Sequence, residues 1–144
     1  MTRIHEDGYE MKAVPHSSEL GMRSHKADPA HAIISVAYQD NLVGNPETGV
    51  IHGGVVTTVL DNCCGLAAMT HPDLKGMVAT LDLRIDYMRP AKPGMTLWTS
   101  CECYRLTRSV AFCRGVAYDE DEGDPIATAT GAFMITAAKT KFEN

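Results

Sequence analysis

The chain has no apolar run long enough to cross a membrane as a helix. Its longest uncharged stretches, Thr48 to Leu60 and Pro125 to Ala138, end at Asp61 and Lys139, well short of the ~20 residues such a span needs. Arg3, His5, Glu6 and Asp7 stand where a secretory leader would carry its apolar segment, so a cytoplasmic protein is expected. Positive charge is scarce as well. Thirteen Lys+Arg against 18 Asp+Glu leave a net charge of −5, which disfavours nucleic acid as the main partner, because a phosphate backbone demands a basic footprint. There is no Gly-rich phosphate loop of the Walker or dinucleotide type. Neither Cys63-Cys64 nor Cys101-x-Cys103 has the spacing of zinc ligands, and five cysteines, with Cys113 the fifth, do not suit a secreted disulfide scaffold. Buried free thiols, no metal and no cofactor are expected.

What remains is an ordinary globular composition. Of 144 residues, 44% are hydrophobic and 22% charged, the size and balance of one domain that buries roughly 68–70% of its unfolded surface. Residues 1–30 are polar and irregular, interrupted by Pro15 and Pro29, and read as an N-terminal arm or short helix. The rest, 31–144, reads as a single domain. Ala32–Tyr38 is a strand by its β-branched content, and Gly44–Gly49 is a loop. From Gly54 to Met69, Val55, Val56, Val59, Leu60, Cys63, Leu66 and Ala67 recur at three- and four-residue spacing, and Pro72 follows. This is a helix. Between Val50 and Met69 there is no Lys or Arg, and Asp61 is the only formal charge, so the helix is expected to be buried nearly all round.

Strands follow. Ala79, Leu81, Leu83, Ile85 and Tyr87 alternate with Thr80, Asp82, Arg84 and Asp86, predicting a strand with those two sets on opposite faces. Met95–Leu106, Val110–Tyr118 and Ile126–Thr136 continue the series. Asp119 to Asp124 holds five carboxylates in six residues and is expected to be an exposed connection. One strand, one buried helix and four strands joined by short links predict an α+β fold with a mostly antiparallel sheet curled round the helix. Such a sheet leaves open edges, so a partner subunit is expected.

Two places could carry chemistry. Asp61 sits mid-helix with Thr57, Thr58, Cys64 and Gly65 as helical neighbours and no cation among them. It is either a catalytic carboxylate in a desolvated site or a residue at the helix edge facing water. His52-Gly53-Gly54 precedes the helix, where backbone N–H groups are unpaired and the helix dipole is positive. There glycine would let an acyl carbonyl approach; the alternative is a tight entry turn with a satisfied histidine. Gly53 and Asp61 are eight residues apart, ~12 Å along a helix, whereas a base and an oxyanion donor must both lie ~3 Å from the reacting group. If both serve one site, that site lies between two subunits with antiparallel helices. No Ser–His–Asp or Cys–His nucleophile set is visible, and Cys63 and Cys64 have no cationic neighbour in sequence.

The run His52-Gly53-Gly54-Val55-Val56-Thr57-Thr58-Val59-Leu60-Asp61-Asn62, with Gly65-Leu66-Ala67 after it, resembles the signature of the PaaI-type (phenylacetic-acid degradation) hotdog-fold thioesterases. Thr80 to Ala91 is similar to that family's strand after the helix and its exit, and the likeness covers roughly residues 31–136. The resemblance implies a hotdog fold, one long helix wrapped by a curved antiparallel sheet of about five strands. It implies a homodimer that pairs into a homotetramer, and hydrolysis of an acyl-CoA thioester without a metal. By resemblance, Asp61 is the catalytic carboxylate, as base or nucleophile, and Gly53 N–H from the other subunit polarises the thioester carbonyl. His52 orients the loop or the thioester, and Thr80 helps place the water or the carboxylate. Asn45, Gly54, Arg89 and Arg108 are candidate substrate-binding residues. Relatives often carry Asn six positions before this His, where this chain has Pro46, with Asn45 one residue earlier. Lys92, like Arg89 and Arg108, sits at a strand end where it could meet CoA phosphates or simply water. A non-catalytic acyl-CoA-binding module and a hotdog dehydratase are the other readings.

Overall fold

The computed structural model describes residues 7–137. Its central element is the helix α2, Gly53–Met69. Before it come β1 (Tyr9–Glu10), α1 (Pro15–Glu19), β2 (Met22–Ala27), β3 (His31–Val36) and a small hairpin of β4 (Val43–Asn45) and β5 (Val50–Ile51). After it come β6 (Met77–Tyr87), β7 (Leu97–Leu106), β8 (Val110–Tyr118) and β9 (Ala127–Thr136). Seven strands form one antiparallel sheet in the order β1-β2-β3-β7-β8-β9-β6. The helix packs across β3, β7 and β8, with β6 beside it. This is the α+β hotdog arrangement, built on seven strands rather than about five.

The helix starts where the chain lets it. His52 takes extended backbone angles and caps α2 by accepting the Gly54 N–H on its Nδ1. One side of α2, from Val55, Val56, Val59 and Leu60 to Cys63, Cys64, Ala67 and Ala68, is buried with Met22, Ile34, Leu97, Ile126 and Phe133 in a single core. The helix is not covered all round within one chain. Gly54, Thr57, Asp61 and Met69 line a stripe that stays open or half-open, because small and hydroxylated residues lower the charge of that face without giving it a packing partner.

Three sequence expectations are corrected. The segment before residue 31 is not irregular: besides the short helix α1 it supplies β2, which pairs with β3 and buries both Met22 and His25. The faces of β6 do not alternate evenly. A bulge between Thr80 and Asp82 leaves Leu81 without a partner on β9 and shifts the register, so Val78 and Thr80 share the inner face with Leu83 and Ile85. Finally, Asp119 is buried at the base of its acidic connection, while Glu120, Asp121, Glu122 and Asp124 are exposed. β6 closes the sheet at one edge and exposes Met77, Leu81 and Tyr87, each by more than half.

Candidate active site

The carboxylate of Asp61 is half-buried on the open stripe of α2. Its Oδ1 accepts a 2.8 Å hydrogen bond from Thr80 Oγ1 on β6. The bulge at Leu81 makes this contact possible, since without it Thr80 would fall on the face opposite Leu83. A small hollow of about 160 Å3 opens beside the pair, walled by Gly65, Leu66, Val78 and Phe133. Asp61 therefore has a hydrogen-bond donor, apolar walls and an open side, the setting of a carboxylate that can meet a water or an acyl carbon. Its neighbour Asn62 accepts from the buried Ser17 hydroxyl of α1 at 3.0 Å and donates to the Thr58 carbonyl, which fastens the first helix onto the second.

The start of α2 is a second, separate cluster. Because His52 Nδ1 accepts from Gly54 N–H at 2.8 Å, the neutral ring carries its proton on Nε2. Gly54 is thus spent on the cap, and a side chain there would collide with the imidazole, its Cβ only 2.9 Å from Nδ1. The His52 carbonyl accepts from Val55 N–H, so the Gly53 N–H on the same planar peptide points away from the helix body. The Gly53 carbonyl accepts from the hydroxyl of Tyr87 at 2.8 Å, and Thr57 Oγ1 lies 2.6 Å from that hydroxyl. Beside Gly53 lies an apolar hollow of about 330 Å3 walled by Ile51, Val56, Met88 and Ile126. Asp61 and Gly53 border different hollows, so one chain brings Asp61 to Thr80 and His52 to Gly53 without joining the two clusters.

The outlying candidates divide. Asn45 Oδ1 accepts from Glu47 N–H, and its carbonyl accepts from Gly49 N–H, so Asn45 builds the β4–β5 turn. Arg89 borders the Gly53 hollow, but its guanidinium is already engaged. It forms a fork on Asp119 at 2.6 and 3.0 Å and also donates to the Asp124 carbonyl. That leaves little for the CoA phosphates expected of it. Lys92 donates its backbone N–H to Asp119 and pairs its ammonium with Glu120. The Arg89 guanidinium, with the N–H groups of Lys92 and Glu120, holds the Asp119 carboxyl well below the usual carboxylate range despite its burial. Arg108 is exposed in the β7–β8 turn, beside the end of β9 that pairs with Met77. Gly53 meets the opposite end of β6, at Tyr87, so Arg89 and Arg108 lie at opposite ends of the sheet.

A groove of about 530 Å3 lies elsewhere, over His31, Ser100, Arg114 and Thr130. Glu102, Arg114 and Thr130 share a register row, and alternate with the core residues Cys101 and Ala129, so this groove is on the sheet face turned away from α2. Here His31 Nε2 is 3.0 Å from Ser100 Oγ, but Lys26 Nζ occupies Nδ1 at 2.7 Å. An ammonium only donates, so Nε2 keeps the proton and cannot take one from Ser100. Burial, then Lys26, pushes the His31 imidazole below its ordinary value. No serine nucleophile results. Sequence reasoning missed Tyr87, Ser17 and Asn62 as parts of these clusters. Only the position of Tyr87 on an alternating strand hinted at an inward side chain.

The sequence model of the thioesterase superfamily matches residues 48–126, from the turn before α2 to the residue before β9. The chain is 28% identical over 135 residues to the medium/long-chain acyl-CoA thioesterase YigI of Salmonella typhimurium, covering 85% of this chain and 86% of that one. A crystal structure of a Pseudomonas aeruginosa protein is 43% identical with a TM-score of 0.77, covering 88% of this chain and 93% of the other. The structure of Escherichia coli PaaI, from the phenylacetic acid degradation operon, superposes with a TM-score of 0.79 over 89% of this chain and 88% of its own, at 15% identity. That last likeness is one of fold.

Proposed function

As the chain belongs to the thioesterase superfamily, we propose that it hydrolyses the thioester of an acyl-CoA to a free acid and CoA. Asp61 on its Thr80 hydrogen bond carries the reading: a half-buried carboxylate on the open stripe of a helix whose own first N–H, that of Gly53, points away from the helix body. In the proposed reaction, the thioester carbonyl rests on Gly53 N–H, which stabilises the oxyanion as the carbonyl carbon becomes tetrahedral. Asp61 takes a proton from the attacking water, or attacks the carbon itself and is then freed by water. The C–S bond breaks, and the sulfur leaves with a proton as CoA thiol. His52, with its proton on Nε2, holds the entry loop and can donate towards the thioester.

The two clusters border separate hollows and are eight positions apart on one helix. The proposed site therefore pairs Asp61 of one subunit with Gly53 of a second, their helices antiparallel. The open stripe of α2 and the bare edge of β6, with Leu81 and Tyr87 exposed, are the surfaces such a dimer would cover. We further assign the protein to the PaaI-type branch, as a homodimer that pairs into a tetramer. No helix among the described residues is long and apolar enough to cross a membrane, and the buried free thiols suit a cytoplasmic setting.

A thiol-release assay across acetyl-, hexanoyl-, palmitoyl-, phenylacetyl- and hydroxybenzoyl-CoA tests the proposal. The name of the Salmonella relative puts hexanoyl- and palmitoyl-CoA first among the expected substrates. Binding of these compounds with no release of thiol would overturn hydrolysis in favour of an acyl-CoA-binding module.

A further inference from the structure

Two successive peptide units at the start of α2 are held in different ways. The His52–Gly53 peptide is anchored at one end only: its carbonyl accepts from Val55 N–H at 2.9 Å, and its N–H, that of Gly53, faces outward. The Gly53–Gly54 peptide is clamped at both ends. Its N–H goes to His52 Nδ1 at 2.8 Å, and its carbonyl receives the Tyr87 hydroxyl at 2.8 Å. A planar peptide held at both ends cannot turn, so the rotation on either side of it is fixed. That matters at a Gly-Gly step, the loosest backbone the chain can build. An oxyanion donor is effective only when it is already aimed before the reaction begins.

Of these tethers, Tyr87 alone comes from the sheet. The others lie within the helix and its cap, and would move with it. Tyr87 is the last residue of β6, and its hydroxyl has one proton to give. With that proton on the Gly53 carbonyl, the hydroxyl oxygen accepts the single Thr57 Oγ1 proton at 2.6 Å, and Thr57 Oγ1, 3.2 Å from the same carbonyl, can turn that proton to it when the tyrosine hydroxyl is absent. The strand that aims Thr80 at Asp61 thus also fastens the start of the helix that bears Gly53.

We propose that Tyr87 is a positioning residue for the Gly53 N–H. Its hydroxyl fixes the Gly53–Gly54 peptide against β6 and so holds the adjacent donor at the angle the oxyanion needs. The inference rests on the hydrolase reading above. The hydroxyl touches no reacting atom, so its loss should affect the transition state and leave ground-state binding alone.

The test begins with wild-type protein on the acyl-CoA panel, followed by Tyr87→Phe and the double variant Tyr87→Phe/Thr57→Val on the best substrate. Tyr87→Phe should lower kcat about tenfold with KM within about twofold of wild type, and the double variant, which strips both side-chain donors from the Gly53 carbonyl and leaves only its intrahelical N–H partner, should fall about a hundredfold. Affinity for an S-alkyl-CoA thioether, which has no carbonyl to receive the N–H, should not change in either. If the wild type hydrolyses none of the panel, the hydrolase reading fails and takes this role with it. If the wild type is active and Tyr87→Phe matches it, the hydrolase reading stands and the positioning role is overturned. Equal losses of turnover and thioether affinity, or a variant that unfolds, would make Tyr87 a binding or stability residue and overturn it equally.

Discussion

Thr80 reaches Asp61 because Leu81, the next residue on β6, is bulged out of the ladder. Thr80 pairs with Phe133 and Asp82 with Ala132, leaving Leu81 between them without a partner. The bulge lets Thr80 face the helix together with Leu83, Ile85 and Tyr87, which an unbroken two-residue alternation would forbid. A local irregularity in the edge strand thus sets which hydroxyl meets the proposed catalytic carboxylate.

Thr80→Val keeps the shape of the side chain and removes its donor. A hydrogen bond to a charged group is worth about 1.5–3 kcal/mol. Turnover should therefore fall at least about tenfold, with Thr80→Ser within about threefold of wild type. Steady-state kinetics on the best acyl-CoA decide it. A Thr80→Val enzyme at the wild-type rate would mean that the contact only holds β6 to α2.

Asp119 should matter for stability rather than turnover. Its carboxylate is almost wholly buried on the Arg89 fork, so Asp119→Asn breaks a buried pair and should cost about 3 kcal/mol, read as a lower urea midpoint at neutral pH. Arg89 holds the folded carboxyl below its ordinary value of 3.8. The pair therefore contributes fully above that value, and the contribution is lost as pH falls through the lower, folded value. The gap between wild type and variant should stay level down to about pH 5 and narrow below about pH 4. A gap that widens with acid would contradict the assignment.

All five cysteines are buried and free. Contacts with Cys63 and Cys64, with burial added, push the Cys101 thiol up, and burial pushes Cys103 and Cys113 up. A thiol needs to ionise and be reached before it reacts. A disulfide reagent should therefore label the native protein slowly and all five thiols once it is unfolded. Rapid labelling of the native state would show that the core opens far more readily than this packing allows.

Much of this architecture was legible in the sequence, and its gaps have a common cause. The helix showed itself because Val55, Val59, Cys63 and Ala67 keep strict helical spacing up to Pro72, and β8 matched the run Val110–Tyr118 to the residue. β2 escaped because a register shift between Ser24 and Lys26 buries Met22 and His25, an odd number of positions apart, in the charged stretch Met22–Ala27. The β6 bulge hid the direction of Thr80 in the same way. Periodicity reads regular strands and is blind to the residue that breaks one. The Arg89–Asp119 pair was out of reach for another reason: its partners lie 30 residues apart, and only the folded turn brings them together. His52, Gly53 and Asp61 stood out as candidates through their place on the helix and took their proposed roles from the family resemblance. Tyr87 was not, because nothing in an alternating strand says which hydroxyl finds a helix terminus.

The most direct measurement is subunit complementation between Asp61→Ala and Gly53→Pro. Proline removes the Gly53 N–H at a position where helices tolerate it, and His52 already has the extended backbone, φ −58° and ψ 133°, that a residue before proline prefers. Asp61→Ala alone should lower turnover at least ~100-fold, and the Gly53→Pro homodimer should be nearly inactive too, since each of its sites lacks the donor. In a heterodimer one site draws its carboxylate from the Gly53→Pro chain and its N–H from the Asp61→Ala chain, and is intact. Exchanged mixtures, with heterodimers confirmed by mass spectrometry, should recover activity up to about half of wild type per heterodimer. Confirmed heterodimers of folded parents that stay inactive would contradict a site shared between Gly53 and Asp61 of different subunits.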